Sequence, residues 1–301
     1  VKIIDTFEQM ASFKAQIEQN PSGWLAYWHE YIDRCASELK EKVLQDSQGY
    51  ALDEEIKPVL CQALTAEFHL LAEAHLHFEQ VIAGISERFQ LLFPQSRQVS
   101  VYFYIGLCNG AGWATKVGEE PVVLLGAEKI VELKWHSKAD LESLICHELC
   151  HIAHSDLRKA HLVQDATANH SQAVWQLYQE GFAQRYQQLL AGKDGYYHQD
   201  RDHWLDWCED NKSDLAGEYL SRILAGTSVQ PFFGDWASYR GHADTGYYLG
   251  CEFIRSLETK YSLTEIACLE PYGVYAHAID FLKKGIVQQL RESADDAPIK
   301  H

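Results

Sequence analysis

The chain has 301 residues, 47% of them hydrophobic and 23% charged, enough to bury a core as one large domain or two smaller ones. A formal net charge of −17, with Lys and Arg scattered and no basic cluster longer than Lys283-Lys284, argues against a nucleic-acid partner. No stretch approaches the roughly 18 consecutive apolar residues of a membrane span, and VKIIDTFEQM lacks the basic flank and apolar block of a signal peptide. Eight cysteines (35, 61, 108, 146, 150, 208, 251 and 268) form no CxxC pair, which suits a reducing compartment, and the expectation is a cytoplasmic protein.

Residues 1–94 read as an N-terminal helical region. Leu25, Trp28, Ile32, Leu39 and Val43 fall at helix spacings over Trp24–Gln48, and a second run extends from Val59 to Phe93, between Pro58 and Pro94. The texture then changes. Val99–Leu107 is rich in β-branched and aromatic residues and predicts a strand. A loop with Gly110, Gly112 and Gly118 follows, then two short strands at Val122–Leu125 and Ile130–Leu133. An edge strand of such a sheet could pair with an extended peptide.

From Ser137 the pattern is helical again. Asp140–His154 carries the stripe Leu141, Leu144, Ile145, Leu149 and Ile152, and Ser171–Leu190 is a second helix ending at Gly192. Gly192–Asp214 reads as a polar, aromatic-rich loop or lid. Helices over Asp214–Leu224, Gly246–Thr259 and Tyr272–Arg291 complete the chain. The expected fold class is α+β and helix-dominated: residues 1–94, then 95–301 with a small mixed sheet and an active-site helix (95–195) and C-terminal helices (196–301).

The decisive motif is His147-Glu148-Leu149-Cys150-His151. Residues four apart lie on one helix face, so both imidazoles can reach one metal ion. Glu148 is rotated away from that face, where it can take a proton from a metal-activated water and pass it to a leaving amine. In the metzincin pattern a third ligand falls six residues after His151, where this chain has Leu157, with His154 in place of that pattern's glycine, so the resemblance to metzincins fails. The better candidate is Glu180, in Gln179-Glu180-Gly181-Phe182-Ala183 on the next helix, with Gly181 permitting a close approach of the two helices. Tyr247, on the same helical face as Gly250 and Ile254, is expected to point inward; Tyr248, on the face of Glu252 and Arg255, is not. A buried tyrosine needs a partner for its hydroxyl, and an oxyanion is one. For that role His242, in Arg240-Gly241-His242, resembles the histidine that thermolysin-like enzymes use, and Arg240 could bind a substrate carboxylate.

His147-Glu148-x-x-His151 followed by Glu180-Gly181-Phe182-Ala183 resembles the zinc motif of the gluzincins, in particular the leukotriene-hydrolase and aminopeptidase branch. Tyr247-Tyr248-Leu249-Gly250 is similar to that branch's Tyr-x-x-Gly. The resemblance runs from about Val99 to Arg291, and looks closest to bacterial predicted zinc-dependent proteases. It implies a thermolysin-like zincin domain, one Zn2+ per chain on His147, His151 and Glu180, Glu148 as catalytic base, Tyr247 at the oxyanion and a peptide or protein substrate.

Three departures bear on the transfer. About 28 residues separate His151 from Glu180, roughly ten more than in the aminopeptidase branch. Thermolysin-like enzymes place an acidic residue four after the ligand Glu, where this chain has Gln184. The aminopeptidases' Gly-x-Met-Glu-Asn element has no match, the nearest stretch being Asn109-Gly110-Ala111-Gly112-Trp113. Two rival readings remain: a deformylase-like amidohydrolase with Cys108 as a ligand, and a non-catalytic zincin that binds a peptide or partner. His154 reads as a group supporting the site or as a rival ligand. His69, His75, His77, His161, His170 and His198 read as solvated.

Overall fold

The apolar run after Pro94 becomes the middle of a sheet in a computed structural model, which describes residues 1–161, 163, 169–234 and 237–295, with only the helical backbone described at 169–171 and 287–295. The chain divides into two units, Val1–Ala153 and His154–His301.

In the first unit, strand β1 (Lys2–Asp5) leads into helices α1 (Phe7–Gln19), α2 (Trp24–Cys35), α3 (Lys40–Asp46), α4 (Lys57–Leu64) and α5 (Phe68–Leu92). Then come β2 (Ser100–Tyr104), β3 (Trp113–Val117), β4 (Glu120–Gly126), α6 (Ala127–Glu132) and α7 (Lys138–Ala160), whose C-terminal end lies in the second unit. The sheet order is β1-β2-β4-β3: β1 and β4 run parallel to β2, and β3 runs antiparallel to β4. Val101, Phe103 and Val122–Leu125 are almost wholly buried, as befits central strands covered on both faces.

Several elements differ from expectation. β1 is only four residues long and mostly exposed; its pairing with β2, not its own pattern, makes it a strand. The glycine-containing loop holds β3, at one edge of the sheet. Ile130–Leu133, expected as a strand, belongs largely to helix α6. A short apolar run fits either period, and here Ile130 and Val131 are buried in a helix packed against α4 and α5. The expected helix over Trp24–Gln48 breaks at Ala36, and the run from Val59 to Phe93 divides into α4 and α5.

A buried carboxylate fixes the loop after β2. Glu128, at the start of α6, accepts hydrogen bonds at 3.0 Å from the backbone N–H groups of both Gly106 and Cys108. Burial raises its pKa, although these same bonds oppose the shift. Gly126 donates its N–H to the Ala111 carbonyl at 3.1 Å, tying the loop to the end of β4.

The second unit takes the end of α7 and adds α8 (Asn169–Ala191), α9 (Trp204–Asp210), α10 (Lys212–Ala225), α11 (Thr245–Glu258), α12 (Leu263–Ala267) and α13 (Pro271–Asp295). α8 packs against α10, α11 and α13. The segment expected as a loop or lid contains α9 and the start of α10, and its Tyr197 is buried against Trp204 and Tyr248. Among the described residues no helix is long and apolar enough to cross a membrane.

Replacing Glu128 by Ala should strand two backbone donors and cost about 2–6 kcal/mol of stability at the usual 1–3 kcal/mol per buried unsatisfied group. Glu128→Gln keeps an acceptor and should cost less. Urea denaturation of both variants, compared with wild type, measures the difference.

Candidate metal centre

α7 carries the HExxH motif in a buried stretch: His147 is 6% and Glu148 7% exposed, flanked by fully buried Cys146, Leu149 and Cys150. The rings of His147 and His151 meet nearly edge to face, with their Nε2 atoms 3.1 Å apart. Two lone pairs facing each other at that distance repel, so a shared proton or a cation must lie between them. Two nitrogens bound to one tetrahedral zinc would be separated by about 3.3 Å, close to the observed spacing.

Glu180 completes the set. One ligand atom from each of His147, His151 and Glu180 lies within 4.8 Å of the other two. Two imidazoles and a carboxylate form a donor set suited to Zn2+, with room for a further ligand. His147 is buried, while His151 and Glu180 are half-buried.

The glycines beside these groups have a different role from the one expected. Gly181 faces α11, not α7: a Cβ built there would lie 2.2 Å from the Gly250 carbonyl oxygen, and one on Gly250 would lie 2.6 Å from the Leu177 oxygen. The glycine of Glu180-Gly181 thus meets the glycine of Tyr247-x-x-Gly250 at a backbone-to-backbone crossing. In the first unit, Gly112 packs against α7, where a Cβ would lie 2.7 Å from Leu144 Cδ1 and 3.3 Å from Glu148 Cγ. The start of edge strand β3 is therefore seated against the proposed base.

The burial expected of the two tyrosines is reversed. Tyr248 is the buried one, with its ring facing Tyr197 and with Lys212 Nζ 6.0 Å from its centroid. Tyr247 is half-buried and sets its edge against Phe233 at 5.5 Å. α11 buries most of its circumference, so the side marked by Glu252 and Arg255 is packed as well. His242 stacks on Trp207 at 3.8 Å, and the Arg240 guanidinium is engaged by Asp214.

Other candidates find structural partners. His154 stacks on Phe182 at 4.4 Å and meets Tyr178 edge-on. Gln184 donates from Nε2 to the Tyr196 carbonyl at 3.3 Å, holding the turn after α8. Cys108 adopts a left-handed backbone, and burial pushes its thiol pKa well up, with the charge of Glu128 adding to the effect. His77 bonds the His136 carbonyl and His75 pairs with Asp5, so neither is simply solvated; the side chain of His170 lies outside the described residues. Sequence reasoning missed Tyr219 of α10. Burial, and then the Glu180 charge, push its phenol pKa well up, and it donates to the Ala173 carbonyl at 2.8 Å. Nothing local marks it; only the packing of α10 on α8 brings it there.

No protein-family model, curated protein or solved structure matches the chain.

Gly181→Ala or Gly250→Ala should destabilise the fold severely, because each new methyl would meet rigid backbone. Gly217→Ala on α10, whose nearest neighbour is a side chain at 3.8 Å, should instead be neutral or stabilising by up to about 1 kcal/mol. Thermal and chemical denaturation of the three variants distinguish these outcomes.

Proposed function

We propose that the chain is a zinc-dependent metallopeptidase of the gluzincin type, a hydrolase with His147, His151 and Glu180 as metal ligands. The observation that carries this reading is the convergence of those three donors within 4.8 Å, with Glu148 adjacent to His147 on a buried helix. When bound, Zn2+ would supply Lewis acidity and a water acidic enough to act as a nucleophile near neutral pH.

The protein's own groups do the rest. Glu148 accepts the proton of the attacking water and delivers it to the departing amine nitrogen. Tyr247 offers its hydroxyl to the developing oxyanion. An extended peptide adds to the outer edge of β3, whose N-terminal approach is seated on Glu148 at Gly112. In this scheme Glu180 is a ligand and not a proton carrier.

The test begins with zinc content. Wild type should hold about one zinc per chain and Glu180→Ala much less. Glu148→Gln should retain the metal yet lose turnover of a diverse peptide library by at least about a hundredfold. Retained peptidase activity in Glu148→Gln would sink the mechanism, and a zinc-loaded wild type that cleaves nothing would favour a binding role.

A further inference from the structure

α5 presents His75 and Glu79 four residues apart, on one helical face, beside the end of β1. His75 Nε2 lies 2.7 Å from Asp5 Oδ2, and one ligand atom from each of Asp5, His75 and Glu79 lies within 4.8 Å of the others. These residues all belong to the first unit and are separate from the HExxH group.

Two of the three donors are already oriented. The His75 ring lies flat on Phe7, at 4.0 Å and 7°, and contacts Phe103 at 5.7 Å. The other oxygen of Asp5 accepts the Phe7 N–H at 3.0 Å, which leaves Oδ2 turned towards His75. An Asp–His pair would account for these two residues alone. It would not account for Glu79, whose exposed carboxylate has no ion pair among the described residues.

We propose that Asp5, His75 and Glu79 form a second, exchangeable site for a divalent first-row transition ion such as Zn2+. One imidazole and two carboxylates suit such an ion, and water fills the remaining positions of an exposed site. An ion held there clips the end of β1 to α5. It joins segments about 70 residues apart in sequence, so its binding stabilises the folded chain.

The test is calorimetric titration of the metal-free chain with Zn2+, paired with thermal melts. The Asp5→Asn/Glu79→Gln variant should bind about one equivalent fewer than wild type and lose part of the zinc-induced rise in Tm. Glu79→Gln alone, at an exposed position, should weaken that equivalent by about tenfold or more. Identical stoichiometry, affinity and melting shift in wild type and Glu79→Gln would overturn the proposal. His151→Ala, run in parallel, removes the other group's equivalent, so the two sites succeed or fail separately.

Discussion

At the crossing of α8 and α11 the backbones pass so closely that neither Gly181 nor Gly250 has room for a side chain. Helices normally keep 8–10 Å between axes because side chains intervene; removing them on both sides lets the two backbones touch. Much of the second unit is arranged around that contact. Glu180 precedes the glycine on α8, and Tyr247 lies one turn before the glycine on α11. The geometry of both residues is therefore inherited from main-chain packing, which is far stiffer than a side-chain contact.

The same helices carry an unusual amount of buried polarity. Gln184, Arg185, Gln187 and Gln188 on α8 are all buried. Arg185 binds Glu258 and Asp194, while Arg255 joins Asp194 and Gln188. The hydrogen bond from Arg255 holds the Asp194 carboxyl below the usual carboxylate range. Gln184 and Gln188 both donate to the Tyr196 carbonyl. Buried amides and guanidinium groups need partners, and here several find them in the turn that follows α8 and on α11. Gln184 is committed to that turn.

In the first unit the equivalent constraint is Glu128. A carboxylate that accepts two main-chain donors fixes the chain between β2 and β3, and the same stretch reaches Gly112 against Glu148. The sheet beneath is buried at its centre and exposed at β1. Its two edges differ in chemistry: β3 begins beside the HExxH helix, and β1 ends in the Asp5–His75–Glu79 group.

By itself the sequence determined the helix-dominated α+β class, strands within Val99–Leu107 and at Val122–Leu125, and the placing of His147 and His151 on one helix face. These features are local: a four-residue spacing places both histidines on one helix face, and apolar periodicity identifies the long helices. Glu180 was singled out by its apolar neighbours and motif, while its place in one group of possible ligand atoms with His147 and His151 comes from tertiary packing. Tertiary structure alone decided that Ile130 and Val131 lie in a helix, that KIID is a strand, that Gly181 meets α11, and that Tyr248 is the more buried tyrosine. A four-residue strand owes its existence to its partner, a short apolar run fits two periods, and a helix packed on several sides hides its orientation from any single pattern.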